Sequence, residues 1–167
     1  MRTTFTVRIT TPDDVPVIVR HRVGMFRDMG ILPSALSDEL TAESARYLEA
    51  AIPSGEYLGW LASPTDRPQE IVAGAGVQRR RVLPHPVSTA NGIVLALRQQ
   101  AIVLNVYTDR AWRRQGLARL LMQQVLDWAR SADIDSLVLH ASGEGRPLYE
   151  ELGFVATNEM RYGRPLR

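Results

Sequence analysis

From residue 5 to residue 10, apolar and polar side chains alternate, with β-branched residues among them, and this period of two predicts a first strand. At Thr11-Pro12-Asp13-Asp14 the pattern changes to a helix start, with proline at the first helical position and Asp14 completing a capping box. Val15, Val19, Val23 and Phe26 then recur at helical spacing, and Gly30 supplies the stop. Ser37 is placed to cap a second helix running through Leu40, Tyr47 and Leu48, ended by Pro53 and Gly55. Strand patterns return over 57–62 and 71–77, joined by a proline-rich turn at 64–68, which together predict a hairpin. Residues 84–92 read as a loop, and 101–108 read as the most buried strand of the chain. A helix over 115–129, a strand over 137–141, a short helix over 148–152 and a last strand over 154–162 complete the series. Such an order predicts an α+β or three-layer α/β fold, with antiparallel pairing early and parallel pairing late.

A length of 167 residues suits one domain, 1–167, and the 45% apolar and 23% charged content is that of an ordinary globular chain. No apolar run approaches the ~20 residues that span a bilayer, and the start lacks the apolar stretch of a signal peptide. The expectation is a soluble, cytoplasmic protein without a membrane partner. The absence of cysteine excludes disulfides, thiolate nucleophiles and Cys-ligated metal, and His21, His85 and His140 are too scattered for a metal site. All 20 basic residues are arginine, and against 18 acidic residues they leave a net charge of +2 at pH 7. Arginine holds its charge at any accessible pH and presents a planar fork to phosphate and carboxylate. Arg79-Arg80-Arg81 is too short a basic run, without an aromatic or zinc-finger signature, to predict a nucleic-acid partner.

Chemistry concentrates between Leu104 and Ala118, where an apolar strand passes through a short turn into a helix whose start is basic and holds Gly116. A helix start leaves free backbone N–H groups and partial positive charge, which together bind anions. No Gly-Lys-Ser/Thr follows, so this is no P-loop, and the glycine triplet of a dinucleotide fingerprint is missing. Instead, Arg113-Arg114-Gln115-Gly116-Leu117-Ala118 resembles the Arg/Gln-x-x-Gly-x-Gly/Ala pyrophosphate motif of GNAT acetyltransferases. Downstream, Pro147-Leu148-Tyr149-Glu150-Glu151-Leu152-Gly153-Phe154 is similar to the family's Leu-Tyr-x-x-x-Gly-Phe segment. The two matches span residues 101–154, and Leu139-His140-Ala141-Ser142 with Thr157-Asn158-Glu159-Met160 resembles a bacterial subset of the family.

This resemblance implies a mixed central sheet of six to seven strands, helices on both faces, and a V-shaped splay between the two central parallel strands. Acetyl-CoA is the implied co-substrate, with no metal, and its pantetheine would lie in the splay like a missing strand. Val106, Tyr107 and Thr108 would offer it main-chain groups, and Arg113, Arg114, Gln115, Gly116, Leu117, Ala118 and Arg119 would surround the pyrophosphate. Ser142 stands where the family usually has a pantetheine-binding asparagine. Tyr149 matches the family's tyrosine and would protonate the leaving sulfur, while His140 is a candidate to take the amine's proton. Glu159, His21, Arg22 and Asp28 lie near the implied acceptor cleft. A small-molecule or peptide amine is the implied partner, and a homodimer is compatible with the family. The alternative is a GNAT-like domain that binds coenzyme A and regulates without turnover.

Overall fold

A computed structural model describes residues 3–97 and 99–163. Strand β1 (Phe5–Ile9) leads to Thr11, whose N–H donates to the Asp14 carboxylate at 2.7 Å, and the turn Pro12–Asp14 runs straight into helix α1 (Val15–Asp28). Arg8 holds the same carboxylate through both of its terminal nitrogens at 2.7 and 2.8 Å, which lowers the Asp14 pKa. The anticipated stop at Gly30 forms with φ +70, its N–H bonding Arg27 O while the Ile31 N–H reaches back to Phe26 O. Helix α2 (Ser37–Ala51) differs from expectation at its start. A 3-10 turn, Ser34–Leu36, precedes it, so Ser37 is the first helical residue and not the cap, its hydroxyl accepting from Arg27 at 2.7 Å.

The predicted hairpin forms from β2 (Tyr57–Pro64) and β3 (Ala73–Arg81). Residues read as a loop form a second hairpin, β4 (His85–Thr89) and β5 (Gly92–Ala96), around a tight turn in which Gly92 has φ +110. Pro86 masks this strand in the sequence, because proline donates no ladder hydrogen bond; here it sits in a ribbon of only two strands, where such a loss is tolerated. Strands β6 (Gln99–Thr108) and β7 (Ser136–Leu139) flank helix α3 (Leu117–Ser131), and helix α4 (Arg146–Glu151) follows.

The main sheet has the order β1-β2-β3-β6-β7, with five strands where six to seven were expected, because β4 and β5 form their own ribbon. Only β6 and β7 run parallel. No strand forms over 154–162, and Val155, Met160 and Tyr162 in that stretch lie exposed, finding no apolar face to bury. The most enclosed strand is β2 and not β6, since seven of its eight residues are buried. Its flat position between β1 and β3, with helices over both faces, accounts for this.

Helices on opposite faces make two cores. Leu117, Leu121, Met122 and Val125 of α3 pack on Ala73, Ala75, Val77, Ala101 and Val103, while Val15, Ile18, Val19 and Val23 of α1 pack with Leu48 of α2 and Tyr57. Burying a side chain of this kind contributes about 1.5–3 kcal/mol, so the two layers hold the sheet from both sides.

Candidate active site

Strand β6 contains the decisive irregularity. Gly74 pairs with Tyr107 but Gly76 with Leu104, so β6 carries one residue more than β3 between those points. The extra residue forms a β-bulge, and Asn105 adopts φ +54 there. Side-chain alternation breaks accordingly. Val103 and Val106 face the α3 core, whereas Leu104 packs on the α1 and α2 core and Asn105, its neighbour, bonds Tyr57 and Arg22 on that same face. On the other edge, β7 pairs with β6 only as far as Val103 opposite Leu139. Beyond that point β6 has no β7 partner, because β7 ends at Leu139 while β6 runs on to Thr108. Neither β3 nor β7 has a register partner for Asn105 or Val106.

The turn after β6 leads to α3. Arg114 has φ +64 and Gly116, at the N-cap, has φ +84, and no side chain caps the helix. Arg114, Gln115 and Gly116 are exposed, while Leu117 anchors the first turn in the core. A Cβ placed on Gly116 would meet no atom within 4 Å. The first N–H groups of α3, without intrahelical acceptors, therefore adjoin open space in a concavity of left-handed turns, the kind of backbone arrangement that suits an anion.

The arginines around this concavity divide. Arg113 donates Nε to Thr108 O at 3.0 Å, lies over the Tyr107 ring at 5.7 Å and pairs with Asp28 at the end of α1. Arg110 pairs with Asp28 as well, and hydrogen bonds from the two guanidiniums lower the Asp28 pKa. Arg119 pairs with Glu151 of α4. Arg114 has no ion pair among the described residues. The helix side chains Leu117 and Ala118 are drawn inward, so any contact they offer an anion is through backbone N–H groups.

Tyr149 lies half-buried on α4, packed against the α3 core and edge-on to Phe154 with ring centroids 6.0 Å apart. Burial raises its pKa, so the phenol stays protonated at neutral pH. Its hydroxyl has no hydrogen-bond partner among the described residues. The Ser142 hydroxyl accepts from the Gly145 N–H at 3.2 Å, shaping the turn into α4. His140 is exposed just past β7, with Nε2 2.8 Å from Glu159 Oε1, and that contact lowers the Glu159 pKa.

On the opposite face, His21 is 1% exposed and its pKa falls to about 4, first because burial disfavours the imidazolium and next because Arg20 lies beside it. It is a neutral packed ring, 5.4 Å from Tyr107. Two cavities accompany this face. One of about 10 Å³, room for a single water, touches Thr10, His21, Tyr57 and Asn105; an open groove of about 750 Å³ runs along α1 and α2 past Tyr107 and Asp109. Neither is lined by Val106 or Leu139, so the cavity anticipated between those strands is not one of these two. Among the described residues, no group of three His, Asp or Glu could hold a metal. No helix among them is long and apolar enough to cross a membrane.

Sequence reasoning missed Asn105 and the Asp28 clasp. The signal for Asn105 was available, since it interrupts the apolar run of 101–106. Asp28 offered none, because its partners lie 82 and 85 residues downstream.

A family model described as an acetyltransferase (GNAT) domain matches residues 88–166, the part of the chain that holds the bulge, the helix start and Tyr149. A solved GCN5-related N-acetyltransferase from Ralstonia eutropha JMP134 superposes with TM-score 0.84 at 27% identity, covering 96% of this chain and 99% of that one. Residues 88–166 thus match a GNAT acetyltransferase domain, and the chain has the fold of GNAT acetyltransferases. A predicted acetyltransferase from Clostridium acetobutylicum, solved with acetyl-CoA, superposes on this chain with TM-score 0.77 at 24% identity, covering 96% of each. An aminoglycoside acetyltransferase from an uncultured soil metagenomic sample shares the GNAT fold at TM-score 0.67 and 15% identity, covering 98% of this chain and 99% of that one. No curated protein matches the chain. GNAT acetyltransferases take their acyl group from acetyl-CoA, and the fold supports a general acyltransferase function here.

Proposed function

We propose that this GNAT domain transfers an acetyl group from acetyl-CoA directly to a primary amine. The observation that carries the reading is the bulge, which leaves the backbone of Asn105 and Val106 without register partners on either neighbouring strand. The residues also fit the co-substrate at its other end, where the uncapped start of α3 and the empty space over Gly116 suit a pyrophosphate. Bound acetyl-CoA supplies a thioester whose carbonyl carbon the amine attacks, the C–N bond forming as the C–S bond breaks.

The chain's residues divide the remaining work. Val106, Tyr107 and Thr108 bind pantetheine through the main chain, and the Val106 N–H steadies the acyl oxygen. Backbone N–H groups from Arg114 to Arg119, with the Arg114 guanidinium, hold the pyrophosphate. Arg113 and Arg119 shape that loop through their own carboxylate partners. Tyr149, kept protonated by burial, gives its proton to the departing sulfur. His140, backed by Glu159 at 2.8 Å, takes the proton that the amine loses. Ser142 positions the turn ahead of α4 beside the pantetheine.

The test is thiol release from acetyl-CoA across an amine library, paired with calorimetric titration of acetyl-CoA. Binding with release stimulated by an amine is the expected result. Binding without release by any amine makes the domain a coenzyme A sensor, and absence of binding refutes the reading.

A further inference from the structure

Nine of the described arginines form ion pairs with carboxylates. Arg22 is the exception that costs most. It is partly buried between α1 and β6, and its charge is offset only by the Asn105 Oδ1 at 2.8 Å and by the Phe26 ring at 4.9 Å. Burial lowers its pKa, and no carboxylate is among the groups that act on it. A cation partly withdrawn from water without a counter-ion carries an uncompensated desolvation cost. Arg27, Arg80, Arg81, Arg114 and Arg161, which also lack carboxylate partners, are exposed, and Arg79 gives two hydrogen bonds to Gln99.

The surroundings hold Arg22 in a defined direction. A guanidinium only donates, so Asn105 must turn its oxygen to Arg22 and its amide nitrogen to the Tyr57 hydroxyl, 3.2 Å away. Tyr57 is itself fixed, 3% exposed and lying over Gly76, where a Cβ would come within 2.0 Å of its hydroxyl. No described side-chain nitrogen or oxygen is both enclosed and unpartnered, so the rest of the Arg22 fork opens to the surface. That opening lies on the α1 face of the bulge, one residue from Val106 in sequence.

We propose that the acceptor amine carries a carboxylate and that Arg22 is its specificity determinant, supplying the charge that the protein leaves uncompensated. This rests on the acetyl-transfer reading and names its substrate class. The planar fork suits a carboxylate bound side-on. Hydrogen bonds to a charged group are worth enough to separate a carboxylate from its amide by about 10- to 100-fold in affinity.

The test compares free amino acids and β-alanine with their C-terminal amides as acceptors, on wild type, Arg22→Gln and Arg22→Lys. The acids should show the higher kcat/KM, carried mainly by KM, and the acid-over-amide ratio should fall at least tenfold in Arg22→Gln. Arg22→Lys retains charge without the fork and should fall between the two. A second readout does not need turnover. The N-acetyl amino acids, as products, should raise the Tm of the coenzyme A-bound wild type more than the N-acetyl amides do, and Arg22→Gln should lose that difference. Amides accepted as well as acids, or an acid preference that survives in both variants, overturns the proposal while leaving acetyl transfer standing. If no amine is acetylated, the product-binding difference still decides the anion site, and the failure then belongs to the transfer reading.

Discussion

His21 gives the sharpest stability prediction, because its energetics follow from one buried ring. An imidazole titrates near 6.5 in an unfolded chain, and enclosure beneath α1 takes that value to about 4. The folded protein thus binds fewer protons than the unfolded chain between those two pH values. The stabilising contribution is complete above about pH 6.5 and is lost as pH falls through 4. At 1.36 kcal/mol for each pKa unit, it amounts to about 3 kcal/mol. For a chain of this size, such a change moves Tm by about 6–12 °C. Urea unfolding of wild type and His21→Gln at pH 7.5, 6, 5 and 4 isolates this group, since the titrating carboxylates Asp14, Asp28 and Glu159 are common to both. The wild-type stability minus that of the variant should fall by about 3 kcal/mol from pH 7 to pH 4, most of it below pH 6. A flat difference, or one that grows on acidification, would refute the burial account.

Gly116→Val should weaken acetyl-CoA binding by calorimetry at least tenfold, because φ +84 strains a branched residue and its side chain would enter the space left for phosphate; unchanged affinity would remove the helix start from the site. Tyr149→Phe should slow the chemical step by about 100- to 10,000-fold with an accepted amine, the range for a positioned acid, and near-native turnover would return Tyr149 to a packing role. Gly76→Ala should cost about 1–3 kcal/mol in urea unfolding, because its methyl group would displace the Tyr57 hydroxyl from Asn105 in a strand without slack. An unaltered midpoint would mean that Tyr57 has room to move.

Local signals carried much of the fold. The Thr11–Asp14 box, the Gly30 stop and the hairpin of β2 and β3 are each written in a few adjacent residues, and each formed. Failures came where distant partners decide. A stretch such as 154–162 becomes a strand only if an edge and an apolar face await it, and β7 offers a ladder only through Leu139. The left-handed turn into α3 was legible through Gly116, but the same reading could not divide the arginines around it. Asp28 takes Arg110 and Arg113, and Glu151 takes Arg119, pairings that depend on helices brought together by the fold. Arg22 was visible only as a charge on an amphipathic helix; its want of a counter-ion is a three-dimensional fact.

The bulge in β6 can also be considered as one inserted codon. With Asn105 removed, Leu104, Val106 and Tyr107 would fall opposite Gly76, Ala75 and Gly74 in unbroken alternation, each keeping the face it already occupies. The hydrophobic pattern, both cores and the hairpin would be untouched, and a one-residue deletion in a central strand, ordinarily ruinous to register, would here repair it. The shortened chain should keep its fold and register, with Val106 returned to the ladder and no gap for a thioester, and its stability cost is the loss of the Asn105 partner from Tyr57 and Arg22. If the proposed acetyl transfer holds, a regular β3–β6 ladder and one open to a thioester differ by a single amino acid, and the room for acetyl-CoA is an interruption of the strand's own regularity.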